Sequence, residues 1–174
     1  MAINHPKAGP NLVGAYQMSG IPFVTSSAVS EVGGPDGNGK SLGIKVEFPN
    51  VTKFVTVRNT GINGLRVGFS ADSVVRPGER LVTVNQDKGA DATSNYFVIP
   101  STGSAGMTHE ASFGGSIQTF EVRCKEIHFL SDAVKNGTQS AATATSFSLI
   151  AGLTPILASE FPTLTGSNGF TGIG

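Results

Sequence analysis

The sharpest chemical signal in the chain is Gly34-Pro35-Asp36-Gly37-Asn38-Gly39-Lys40-Ser41, which fits the spacing G-x-x-x-x-G-K-[ST]. In a nucleotide site, backbone N–H groups of such a loop cradle phosphates, the lysine neutralises them and the hydroxyl binds Mg²⁺. That mechanism also needs a helix starting at the lysine, because its N-terminal dipole holds the anion. Here Leu42-Gly43-Ile44-Lys45-Val46-Glu47-Phe48-Pro49 follows, with Ile44, Val46 and Phe48 alternating against Lys45 and Glu47 and a proline closing the run. Period two is a strand signature. No strand–helix–strand alternation occurs elsewhere. The expectation is a Gly/Asn/Asp loop between strands, with no nucleotide and no cofactor.

The other reactive side chains are scattered. His5 lies near the start, His109 in a polar stretch beside Glu110, and His128 between Ile127 and Phe129 on the polar-alternating side of a strand. No histidine pair and no His/Cys pair stands at ligand spacing, so no metal is expected. Cys124 shares parity with Phe120 and Val122, the place of a small buried hydrophobe rather than a nucleophile. As the single cysteine it closes no internal disulfide. No G-x-S-x-G elbow is present. Asp36, Asp72, Asp87 and Asp91 fall in turn-like segments, where Asp serves local hydrogen bonding. They lack the ordered spacing of a Ca²⁺ loop. Asn50-Val51-Thr52 and Asn136-Gly137-Thr138 match the glycosylation acceptor pattern, but both read as plain turns in a chain without an evident leader. No catalytic, cofactor-binding or metal-binding residue is therefore assigned, and the expectation is a protein that is not an enzyme.

The elements that would carry these residues are strands. Gly (23) and Pro (9) punctuate short apolar runs throughout, as in sandwiches and barrels. Residues 1–20 read as an extended arm. Ile21, Phe23 and Thr25 begin the first strand, and Ile44, Val46 and Phe48 the next. Thr52–Arg58 and Leu65–Phe69 flank Asn63-Gly64, a tight-turn signal, and are expected to form a hairpin. Arg76-Pro77-Gly78-Glu79 is a type II turn pattern, with Leu81–Val84 and Tyr96–Ile99 as further strands around a polar loop. In the long run Ile117–Leu130, Phe120, Val122 and Cys124 share one parity and Ile127 and Phe129 the other. That switch near Lys125-Glu126 implies a bulge or a bend. Phe147, Leu149, Ala151 and Leu153 give a last core strand. The reading is an all-β fold: a single jelly-roll (Greek-key) sandwich of about eight antiparallel strands over residues 21–155, preceded by the arm 1–20 and followed by a tail, 156–174, that packs on the domain or on a neighbour.

Composition narrows the partners. Twelve basic residues balance twelve acidic ones, so nothing marks nucleic acid as the main partner. Charged residues make up 14%, well under the roughly 25% of ordinary domains. Low charge with a net near zero favours association, and suggests that much of the surface meets protein. No apolar stretch reaches about 18 residues, so no membrane-inserted helix is expected. Residues 1–20 lack the basic start and apolar run of a secretory leader, which argues against secretion.

Several segments together resemble a known family: Phe48-Pro49-Asn50-Val51-Thr52-Lys53-Phe54-Val55-Thr56-Val57, Leu65–Ser70, Asn95–Ile99, Phe120–Ser131 and Ser146–Thr154. Their order and content are similar to the single jelly-roll penton (vertex) capsid proteins of large icosahedral double-stranded DNA viruses that infect algae and protists. The likeness spans Ile44 to Thr154, about two-thirds of the chain, and consists of apolar strand patterns without a chemical signature. It implies a structural capsid subunit of the virion, made in the host cytoplasm and assembled as a pentamer at five-fold vertices. Its implied partners are further copies of itself and neighbouring major and minor capsid proteins. Neither the loop at residues 33–39 nor the tail matches the family pattern. An alternative from the residues alone is a sandwich that binds carbohydrate or a receptor. It predicts an exposed aromatic cluster or carboxylate-lined loops, whereas the chain has no Trp and two Tyr. A third is an enzyme built on Gly34–Ser41.

Overall fold

Alternating apolar residues organise the chain into strands that pair far apart in sequence. The structure is a computed structural model and describes residues 20–29, 40–41, 43–71, 73–74, 80–81, 95–101, 116–132 and 145–164. Its strands are β1 (Ile21–Val29), β2 (Lys40–Ser41), β3 (Ile44–Glu47), β4 (Asn50–Asn59), β5 (Leu65–Gly68), β6 (Arg80–Leu81), β7 (Phe97–Ile99), β8 (Ile117–Phe120), β9 (Glu126–Ser131) and β10 (Thr145–Leu157). One short 3₁₀ turn, Ala158–Glu160, follows.

Eight of these strands form two four-stranded antiparallel sheets, in the orders β1-β10-β4-β8 and β3-β9-β5-β7. β2 and β6 make a separate two-residue parallel pair. Within the sheets the pairing is nested: β1 with β10, β3 with β9, β4 with β8 and β5 with β7. The inner faces of both sheets supply one core. Val29, Val55, Val57, Phe147, Leu149, Ala151 and Leu153 come from the first sheet, and Leu65, Val67, Ile99, Ile127 and Phe129 from the second. Phe129 and Phe147 stack across the gap at 4.1 Å between centroids. The result is an all-β sandwich of eight antiparallel strands, as the alternation predicts.

Two expected connections differ. β4 and β5 are not a hairpin, because β4 lies between β10 and β8 in one sheet while β5 lies between β9 and β7 in the other. The chain crosses from sheet to sheet at residues 60–64. An Asn-Gly signal marks where a chain turns, but not which sheet receives it. Similarly, Ile117–Leu130 is two strands, β8 and β9, in different sheets. The parity switch is a bend: residues 121–125 carry the chain across.

At the far end of β10, the pairing with β4 shifts register between Gly152 and Leu153 and again before Leu157. The shift turns Val51 to the outside of the sheet, where Ile156 and Phe161 cover it. Lys125 Nζ donates to Thr163 Oγ1 (2.8 Å) and to the Phe161 carbonyl (3.4 Å). The described part of the tail therefore packs on its own sandwich, and the expected boundary at residue 155 falls inside β10. The arm before Gly20, the turns at 76–79 and 136–137, the loop at 87–94 and the tail beyond residue 164 lie outside the described residues.

Candidate functional site

Of the Gly34–Ser41 motif, residues 34–39 lie outside the described residues. Lys40 and Ser41 do not, and they form β2, aligned in parallel with Arg80 and Leu81. Gly43 is unstructured coil and Ile44–Glu47 is strand. Strand stands where a phosphate cradle needs the first turn of a helix.

Cys124 sits on the 121–125 crossing and is 1% exposed. Thr52 Oγ1 donates to the Val122 carbonyl (2.8 Å), accepts from the Cys124 N–H (3.1 Å) and touches Cys124 Sγ at 3.4 Å. Burial pushes the thiol pKa up to about 11, against a smaller opposing effect of the Thr52 contact. A thiol held protonated in an apolar core is a packing group rather than a nucleophile. The Thr52 hydroxyl ties the crossing to β4, together with the Thr52 N–H, which donates to the Cys124 carbonyl (3.0 Å), and Arg123 Nη1, which donates to the Lys53 carbonyl (2.8 Å).

His128 lies on the outward face of β9, opposite Lys45 of β3, while Glu126 lies opposite Glu47. Lys45 Nζ donates to Glu47 Oε1 at 2.5 Å. His128 Nε2 is 3.5 Å from Glu126 Oε1 and, although buried, has no hydrogen-bond partner. Burial lowers the His128 pKa, with Glu126 acting in the opposite direction. An imidazole so placed is neutral near pH 7. Beside it an open cleft of about 400 Å³ is lined by Glu47, Lys125, Glu126, Ser159 and Thr163 among others. Among the described residues no three His, Cys, Asp or Glu side chains converge as metal ligands. His5 and His109 lie outside the described residues.

Two buried polar centres escape a strand-by-strand reading. Arg66 alternates with Leu65 and Val67 and reads as a solvent-facing residue, yet it has no exposed surface. Its Nε donates to Asp132 Oδ1 (2.7 Å), its Nη1 to the Val74 carbonyl (3.1 Å), and its guanidinium lies 5.0 Å from the centre of the Tyr96 ring. Val74, with Ala71 and Leu130, roofs this outer face of the second sheet. Asn59 is also fully buried. Its Nδ2 donates to the carbonyls of Asn63 (2.8 Å), Ile99 (3.1 Å) and Pro100 (3.1 Å), while its Oδ1 accepts from Gly61 N–H and Thr145 Oγ1, both at 3.0 Å. It pins the 60–64 crossing to both sheets. The only sequence signal for either centre is the polar residue itself, since the partners are up to 86 positions away.

The surface offers apolar area in place of a reactive constellation. Val24 is 71% exposed, Ile117 59%, Phe97 49% and Ile150 45%. Val24 and Ile150 pair directly across β1 and β10, and Ile150 is followed across the sheet by Thr56 and Thr119. The outer face of the first sheet is thus built mainly of Val, Ile, Ser and Thr, with Pro22, Gly152 and Phe54 in one row and Arg58 as the charged member of its central rows. No helix among the described residues is long and apolar enough to cross a membrane. No family model matches the chain, and no curated protein matches it.

Proposed function

We propose that this chain is a structural coat protein, the penton subunit that forms a pentamer at the five-fold vertices of a large icosahedral double-stranded DNA virus. The observation that carries the reading is the nesting of strand pairs. Counting only the eight sheet strands in chain order, first pairs with eighth, second with seventh, third with sixth and fourth with fifth. One long antiparallel ribbon rolled over on itself, as in a jelly roll, would pair its strands in this way, and the nesting supports that reading. The segments that resemble vertex proteins coincide with β4, β5, β7, β9 and much of β10. A low-charge surface with exposed Val, Ile and Phe suits a subunit that buries its flanks against neighbours.

In this reading the work of the fold is mechanical. A closed ring needs one patch on each copy to meet a different patch on the next. The rigid sandwich supplies two flanks at fixed separation, and neighbouring capsid proteins take the remaining contacts. Single-particle imaging of the purified chain tests it. Rings with five-fold symmetry, which also occupy the vertices of assembled shells, are the expected result; separate single copies that never enter a shell would end the reading.

A further inference from the structure

Unpaired sheet edges invite strand addition, and proteins that stay monomeric blunt them with charge, proline, bulges or short strands. β3, an edge of the second sheet, follows that rule: it has four residues, two of them the ion-paired Lys45 and Glu47. β1, an edge of the first sheet, carries one such feature, Pro22 at its second position, and residues 23–29 carry none. Its nine residues include no Lys, Arg, Asp or Glu, and its register with β10 runs unbroken from Ile21 to Val29. Among the described residues no strand covers its outer side. The opposite edge of that sheet, β8, reads Ile-Gln-Thr-Phe: it is as short as β3, but as uncharged as β1 and without a proline.

The exposed apolar side chains gather at these edges. Of the seven large ones among the described residues, Ile21 and Val24 are on β1, Ile117 on β8 and Phe97 on β7. Phe97 meets Phe120 edge-to-face at 5.6 Å, which sets β7 and β8 side by side on one flank. Phe23 meets Phe48 at 5.2 Å, which sets β1 beside the end of β3 on the other. Each flank therefore carries one uncharged strand edge of the first sheet with a bare aliphatic residue on it.

We infer that β1 of one copy pairs antiparallel with β8 of the next, so that copies join head to tail through the first sheet. Strand polarity permits this at every junction. β1 opposes β10, β10 opposes β4 and β4 opposes β8, so the two edges run in opposite directions and the next copy's edge continues the antiparallel ladder. Val24 and Ile117 lie on the same outer face, since the chain of partners Val24–Ile150–Thr56 and the pair Arg58–Ile117 share parity. The occupant of each edge is a second copy because the matching edge, uncharged and of opposite polarity, is on the same molecule. With no charge on either strand, no like-charge pair opposes the contact. Unlike patches meeting head to tail close into a ring when the rotation allows. The inference rests on the coat-subunit reading for the number of copies in that ring, but not for the strands that meet.

The test uses the full chain carrying Val24→Asp or Ile117→Asp, both exposed positions, with circular dichroism and a thermal melt to verify that each variant folds. Native mass spectrometry is expected to show each variant alone as a monomer. Mixed in equal amounts they should give a dimer of two 17.9 kDa chains and nothing larger, since only one sound β1 meets one sound β8. Oligomers that persist in both variants, dissociation by only one of them, or a mixture that yields no dimer would overturn the inference while leaving self-assembly standing. A wild-type chain that is itself monomeric would overturn both.

Discussion

A guanidinium with no exposed surface must have its charge answered inside the fold, and Arg66 finds its answer in Asp132, the Val74 carbonyl and the Tyr96 ring. Removing one partner of a buried pair typically costs about 3 kcal/mol or more, because the other charge is left desolvated. Arg66→Ala is therefore expected to lower the unfolding free energy by about that amount in urea titration, and Asp132→Asn, whose carboxylate is partly exposed, by less. A loss under about 1 kcal/mol for Arg66→Ala would contradict the account. His128 gives a pH prediction. Its pKa is lowered in the folded chain, so the unfolded chain takes up the proton first as pH falls below the ordinary value of 6.5. Its contribution is complete above that pH and declines below it. Urea midpoints at pH 7.5 and 5.5 should differ less for His128→Gln than for the natural chain, and an unchanged difference would refute this. Cys124, with its thiol pushed up to about 11 by burial, should resist alkylation at pH 8 in the native chain and react at once in denaturant. Rapid native labelling would show that the crossing opens. The Cys124 role follows from its parity, but those of Arg66 and His128 do not: both are buried at positions whose parity says solvent, and for Arg66 it is the cover of Ala71 and Val74 that reverses it.

At the scale of elements, alternation was a reliable guide and connectivity was not. Phe147, Leu149, Ala151 and Leu153 are all buried on one face of β10, and Val46 and Phe48 turn inward beside exposed Lys45 and Glu47. A two-residue period is a local property, so a single sequence displays it. Which strand lies beside which is decided by partners such as Thr52 with Cys124 and Asn59 with Thr145, and no window of neighbours contains them. The sheet-to-sheet crossing at 60–64 is the tightest of these junctions. A Cβ on Gly61 would stand 2.6 Å from the Ser146 nitrogen and 2.8 Å from the Thr145 Cα, both backbone atoms that cannot swing aside. Gly61→Ala is expected to destabilise by about 1–3 kcal/mol, the usual cost of overpacking. A thermal melt that matches the natural chain would mean the crossing is looser than described.

For the whole molecule, every pair in the nested pattern joins distant positions, from Leu65 with Ile99 to Ile21 with Leu153. Such a fold gains little until its ends meet, which makes a stiff body of fixed outline once formed and a slow one to form. That is a suitable shape for a subunit whose task is to hold two flanks at a set angle. The class of fold was legible in the spacing of Gly, Pro and apolar residues, whereas the flanks that carry the proposed function were not, because edge strands look like any others until the sheet order is known. The most direct measurement of the central claim is the native mass of the wild-type chain over a range of concentrations. The account predicts a five-copy species of about 90 kDa from a 17.9 kDa chain. A mass that stays at that of one chain up to the highest concentration would contradict it.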